Sequence, residues 1–262
     1  MNRKQTYWVV ALFFIVLLIG SLVGIPARHV LRFVELPADI KIKGLNGSIS
    51  SGNIEAIRFQ KFTLTDVDFS LRPLCLAKIS ICYEIKSDDN NLLLNIEANL
   101  LTQISSISHS QIQLDSSIFK DMPQMLVQPK GELLIAIQSM TFVDAKINEL
   151  SATLDWPGAG IEGEDQLLGN YHATLLQEEE RLSIKLDDKD SLLSARGDIE
   201  VKWSGQYSVN LKFESKPELN KSVINVLQMA TRQSGLNKYA LKTAGNLPSQ
   251  SMQYLQLFNT QK

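Results

Sequence analysis

From residue 37 to about 215 the chain alternates apolar and polar positions with a period of two. Leu92, Leu94, Ile96, Ala98 and Leu100 fall on one side of a strand, opposite Asn95, Glu97 and Asn99. Tyr207, Val209, Leu211 and Phe213 alternate with Ser208, Asn210 and Lys212, and Leu182, Ile184 and Leu186 with Ser183, Lys185 and Asp187. Val67, Phe69 and Leu71 do the same against Asp66, Asp68 and Ser70. Such alternation marks antiparallel strands with one buried and one wetted face.

Turn-forming clusters punctuate the pattern at Asp88 to Asn91, Asp187 to Asp190 and Ser204-Gly205, and Gly44, Gly47 and Gly52 divide the first strands. Together they predict about a dozen short strands joined as hairpins and meanders. The segment 116–130, with Met122, Pro123, Met125 and Pro129, reads as a connecting loop and a soft boundary within one extended sheet. Helical spacing comes only late. Leu219, Val223, Val226, Leu227 and Ala230 predict a helix over 217–234, with Pro217 in its first turn and Gly235 as its stop. Residues from Tyr239 to Gly245 suit a closing strand, and 251–262 read as a polar tail. The fold class is mostly β: an N-terminal membrane helix, an extended, curved antiparallel sheet and a C-terminal helix.

The N-terminus departs from this grammar. Residues 7–24 carry no charge and almost no polar group. Eighteen residues at the helical rise span roughly 27 Å, the hydrocarbon thickness of a bilayer. Arg3 and Lys4 precede the segment, and Tyr7 and Trp8 suit an interfacial aromatic belt. A cleaved signal peptide is the alternative reading, but neither Leu22-Val-Gly24 nor Ile25-Pro-Ala27 offers a small residue at both required positions. The expected organisation is a cytoplasmic tail (1–6), a transmembrane helix (7–24), a juxtamembrane linker (25–36) and a periplasmic β domain (37–250), followed by the tail. The expected topology is single-pass, with the N-terminus in the cytoplasm and the C-terminal domain in the periplasm.

Charge and composition narrow the function. With 26 Lys+Arg against 28 Asp+Glu, the net charge is −2, and the basic face that nucleic acid demands is lacking. The three histidines, His29, His109 and His172, are scattered. No nucleophile elbow, phosphate-binding glycine loop or HExxH pattern occurs, so neither an enzyme nor a cofactor or metal site is expected. Asp66 with Asp68, and Glu178 to Glu180, read as the polar side of a strand and an acidic hairpin tip.

Cys75 and Cys82 are the only cysteines. In one extended strand they would lie about 23 Å apart, beyond disulfide reach. A helical turn over Pro73 to Lys78 would bring them back together, and an oxidising compartment favours pairing. Two buried free thiols remain the alternative; the spacing is not that of a CxxC site.

Several short patterns, in order, resemble the type II secretion system protein N family. They are Leu36-Pro37 followed by Gly44, Gly47 and Gly52; Phe69 to Leu76 around Pro73; Leu154-Asp-Trp156-Pro-Gly158-Ala159; Leu168-Gly169; and Gly197-Asp-Ile199. Ile49-Ser50 and Phe69 stand where tryptophans are common in the family. The resemblance implies an accessory, non-catalytic scaffold of the inner-membrane side of a machine that exports folded proteins across the outer membrane. Its implied partners are other inner-membrane subunits and the outer-membrane secretin. The competing reading is a membrane-anchored lipid-binding or lipid-transfer module of the AsmA-like or lipopolysaccharide-transport kind, sheltering acyl chains on an apolar concave face. The two differ in whether that face is closed, with the C-terminal helix as the obvious plug.

Overall fold

The computed structural model describes residues 24–31, 40–59, 62–89, 91–116, 128–144 and 146–247. Residues 7–23 of the expected membrane helix and the expected tail 251–262 lie outside the described residues. Among the described residues, no helix is long and apolar enough to cross a membrane. The chain divides into two compact units, Met1–Leu93 and Leu94–Lys262.

The first unit holds a short helix α1 (Ala27–Leu31) and the antiparallel meander β1 (Ile40–Gly47), β2 (Ser51–Phe59), β3 (Phe62–Leu71) and β4 (Ser80–Ser87). Neighbours in sequence are neighbours in the sheet, as expected when tight turns connect antiparallel strands. The ladders are in register, with Ile42 opposite Ile57, Leu45 opposite Ile54, Ile54 opposite Val67 and Phe69 opposite Ile85.

The division falls within β5 (Leu92–Asn99). Leu100, expected on that strand's apolar side, lies in the following turn and is exposed. Asn99 closes this turn, its Oδ1 accepting from the amides of Leu101 and Thr102 at 3.0 Å each. Next come β6 (Ser105–Asp115), β7 (Pro129–Lys130), β8 (Glu132–Val143), β9 (Lys146–Ile161), β10 (Gly169–Gln177), β11 (Arg181–Lys189), β12 (Leu193–Lys202) and β13 (Gln206–Ser215). Helix α2 (Lys221–Ala230), β14 (Arg232–Gly235) and β15 (Lys238–Asn246) complete the unit. The strand order is β5-β6-β8-β9-β10-β11-β12-β13-β15-β14, with β7 on β9. Of the expected connecting loop, residues 117–127 lie outside the described residues. Strands β6 and β8 pair from Ser105↔Phe142 to Asp115↔Glu132, and the Ser116 amide continues the ladder to the Gly131 carbonyl at 2.9 Å.

The core of this unit lies where α2 crosses the sheet. Leu219, Val223 and Leu227 pack with Tyr171, Leu193, Ala195 and Tyr239, all less than 9 % exposed. The helix is shorter than the spacing suggests because Asn220 caps it: its Oδ1 accepts from the Ser222 amide at 3.4 Å, leaving Pro217 outside. Gly235 does not end the helix but closes β14. Glu164 pins the helix start, accepting from Asn220 Nδ2 at 2.6 Å and from Ser222 Oγ at 2.7 Å. The same sheet face continues along β10 from Tyr171 through Ala173 to Leu175. There a second cluster of Ile147, Leu150 and Ala152 is bordered by Ile137, Met140, Phe142, Leu175 and Leu182, which are only partly buried. Helix α2 therefore covers one stretch of the apolar face and does not pack on the second cluster.

Candidate functional site

The most distinctive surface of the first unit arises from a change of phase in its alternation. Ile42 and Leu45 on β1 are three residues apart, not two or four, and so are Ile54 and Ile57 on β2; yet all four line one hollow. The intervening row explains how. Gly44 (φ 68°) and Asp66 (φ 46°) both take left-handed backbone conformations, and they flank Glu55 in adjacent strands. A left-handed residue inside a strand reverses the side to which its successors point. Placed across neighbouring strands, the row creases the sheet and gathers residues of both phases on one face. At Gly44 an added Cβ would also meet the Glu55 side chain at 2.2 Å, so glycine suits both the backbone and the space.

The hollow holds about 260 Å³ and is lined by carbon alone. Val67, 1 % exposed, forms its floor, and α1 overhangs it with Ala27, Val30 and Leu31. The helix is tied down by the Pro26↔Ser48 bridge and by the Ile49 amide donating to the Ile25 carbonyl at 2.9 Å. Tyr83 could have brought a polar group into the wall. Its hydroxyl instead donates to the Ile49 carbonyl at 2.8 Å, and its ring tilts against Phe69 with centroids 6.4 Å apart. Burial raises the Tyr83 pKa, keeping the group neutral. On β4 the neighbouring position carries Glu84, whose pKa is lowered by hydrogen bonds from Lys86 and Arg72. Apolar lining and charged exterior thus alternate on one strand.

Cys75 and Cys82 brace the turn beside this wall. Pro73–Lys78 forms a 3₁₀ turn, Ile79 follows in the left-handed region, and the two cysteines are joined with Cα atoms 5.9 Å apart. Closing so short a loop stabilises the fold by about 2.5 kcal/mol in the chain-entropy account. The bond holds Leu74 and Ile79 in place although they are 85 % and 49 % exposed.

The remaining motif positions fall in both units. Gly47 and Gly52 face each other across β1 and β2, and Pro73 opens the braced turn. Trp156 and Ala159 belong to the core beneath α2, with the Trp156 and Tyr171 rings 5.9 Å apart. Leu154 pairs with Ala173, Gly169 with Ala159, and Gly197 with both Leu186 and Leu211. Pro157-Gly158, a pair common in turns, makes none here: β9 runs on through both residues. The Gly158 amide donates to Asn170 Oδ1 at 2.8 Å where the β9–β10 register shifts, and such an irregularity admits a proline.

The polar candidates act as cross-strand partners. His172 Nδ1 lies 2.7 Å from Asp155 Oδ1 directly opposite on β9, Asp68 accepts from Asn53 at 2.9 Å, and Asp66 is exposed. Glu178 to Glu180 do form a hairpin tip, where the Glu179 carbonyl accepts from Trp203 Nε1 at 3.0 Å. Among the described residues, no group of three or more His, Cys, Asp or Glu is placed to hold a metal ion.

Asp187 to Asp190 is not a simple turn. Asp187 and Asp188 extend β11, and the Asp188 side chain, 5 % exposed, turns inward. It raises the Tyr171 pKa further, second to burial, while the Tyr171 hydroxyl donates to the Leu193 carbonyl at 2.7 Å.

The sequence of this chain has known relatives. The protein-family model described as "Type II secretion system (T2SS), protein N" matches residues 38–242. The chain belongs to the type II secretion system protein N family. It is similar to the type II secretion system protein N of Vibrio cholerae serotype O1, 20% identical over 253 residues that cover 90% of this chain and 96% of the relative. The protein of the same name from Aeromonas hydrophila is 21% identical over 253 residues, covering 93% of this chain and all of the relative. No solved structure matches. Membership makes this protein a component of a type II secretion system and associates it with the membrane in which that system is built.

Proposed function

We propose that the chain is a single-pass inner-membrane protein whose residues 7–24 anchor a non-catalytic periplasmic β domain, and that this domain is a scaffold for other secretion-system subunits. The observation that carries this reading is an apolar, uncharged 18-residue run followed directly by a β domain of a secretion-system family. The Cys75–Cys82 bond supports an oxidising compartment. The motif residues serve the fold: they sit at strand pairings, register shifts and the core beneath α2, not around a reactive centre. Strand β1 ends the order of the first unit and presents exposed Lys41 and Lys43, a polar edge suited to pairing with a strand of a partner subunit.

Reporter fusions test the anchor. Alkaline phosphatase fused after residue 116 or at the C-terminus should be active, and the full chain should resist alkaline carbonate extraction. In intact cells, Cys75 and Cys82 should become alkylated only after reduction. An inactive phosphatase fusion together with free thiols before reduction would overturn the periplasmic placement.

A further inference from the structure

Helix α1 connects the expected anchor to the apolar hollow. Ala27, which lines the hollow, lies three residues beyond the last apolar anchor position, Gly24. Three residues reach at most roughly 10 Å. If 7–24 spans the membrane, the Ala27 end of the hollow lies within about 10 Å of the end of the span, near the level where lipid chains meet headgroups.

Its chemistry fits that location. A volume of about 260 Å³ lies just below the roughly 300–1,000 Å³ typical of sites for drug-sized ligands. The size and the all-carbon lining suit part of a single acyl chain and leave no place for a headgroup. Headgroup partners occur outside the hollow instead. Arg28 and His29 are exposed on α1 while Val30 and Leu31 of the same helix line the hollow; Lys41 and Lys43 flank Ile42 on β1 and so lie on the opposite sheet face. Glu55 and Asp66, both exposed, are the acidic groups of the row that creases the sheet. The helix thus has an apolar side toward the cavity and a basic side toward solvent, as an interfacial helix has.

We propose that the hollow bounded by α1 and β1–β4 holds one acyl chain of an anionic phospholipid from the outer leaflet of the anchoring membrane, with Arg28 beside its phosphate. This inference rests on the anchored reading. The chain would dock the first unit against the bilayer surface and fix its position above the anchor. It would be a static ligand: the hollow is a single-chain site at the membrane, not a conduit.

The test uses the full-length chain in vesicles of phosphatidylethanolamine and phosphatidylglycerol, with a trace of phosphatidylglycerol carrying a photoreactive group near the end of one acyl chain. After irradiation, adducts are mapped by mass spectrometry. The expected result is adducts both within 7–24 and on β1 and β2 around Leu45 and Ile57. Ile57→Trp, which fills the hollow, should abolish the β1–β2 adducts and leave those in 7–24. The exposed substitution Arg28→Gln spares the packing, and it should lower the β1–β2 adducts about fivefold, as expected for one basic residue at an anionic surface. Adducts confined to 7–24 in the wild-type chain would overturn the lipid site while the anchor stands. So would β1–β2 adducts that neither substitution changes. A chain with no adducts anywhere would contradict the anchor, and the lipid site with it.

Discussion

Gly197→Val is expected to destabilise the second unit by about 4 kcal/mol, combining backbone strain with overpacking. Gly197 sits in the middle of β12 with φ 147°, a region essentially reserved for glycine. A Cβ there would lie 2.0 Å from the Asn210 carbonyl oxygen and 3.0 Å from Leu211 Cα, both backbone atoms of β13. These atoms cannot move aside without opening the β12–β13 ladder. That ladder also positions Leu193, Ala195 and Phe213 beneath α2, so the strain would loosen the helix as well. Urea unfolding of the full chain in detergent, followed by the fluorescence of Trp156 and Trp203, measures this directly. With a urea slope of about 2 kcal/mol per molar, the midpoint should fall by about 2 M. Gly163→Ala is the contrast. Gly163 also has positive φ (86°), but nothing lies within 4 Å of its added Cβ, and a loss of about 1 kcal/mol from strain alone is expected.

The second large effect is expected at Asp188, where β11 leaves β12. The ladder between these strands runs only as far as Leu186↔Gly197. Beyond it the Asp188 carboxylate takes over the role of a backbone acceptor. Its Oδ1 accepts from Ser194 Oγ at 2.7 Å, the Ala195 amide at 3.2 Å and Arg196 Nε at 3.2 Å. Removing it strands a buried amide and hydroxyl together, so Asp188→Ala should lower stability by about 3 kcal/mol. Arg196→Ala should lose less than about 1 kcal/mol: its side chain is 66 % exposed, and solvent screens its bonds to Asp187 and Asp188. Equal losses for the two variants would show that charge pairing, rather than satisfaction of the stranded groups, dominates there.

These two sites show where the sequence was legible and where it was not. Alternation alone identified β13, because Tyr207, Val209, Leu211 and Phe213 keep strict phase and one face is buried. The crease through Gly44, Glu55 and Asp66 escaped strand-by-strand reading. Its signal was present as the three-residue spacing of Ile42 to Leu45, of Ile54 to Ile57 and of Leu64 to Val67, recurring in consecutive strands. A similar step from Ile137 to Met140 accompanies the left-handed His109 on β6 and the register shift between β8 and β9. Asp187 to Asp190 resembled a turn because aspartates dominate turns. Nothing local marks Asp188 as buried; its partners lie six to eight residues away, across a hairpin. The late helix was recognised by its period, but its ends were set by the Asn220 cap and by the pairing of β14, neither of which the period encodes. The hollow was beyond sequence reading, since it depends on α1 lying over a creased sheet.

The central claim is that this chain works as a membrane-anchored subunit within a type II secretion system. Crosslinking in native membranes, with capture of the full chain and mass spectrometry of the bound proteins, tests it most directly. The account predicts recovery of other inner-membrane subunits of that system, with or without its outer-membrane secretin, and crosslinks that include Lys41 or Lys43 on the β1 edge. Repeated capture under conditions of active secretion that yields phospholipid but none of those subunits would contradict it.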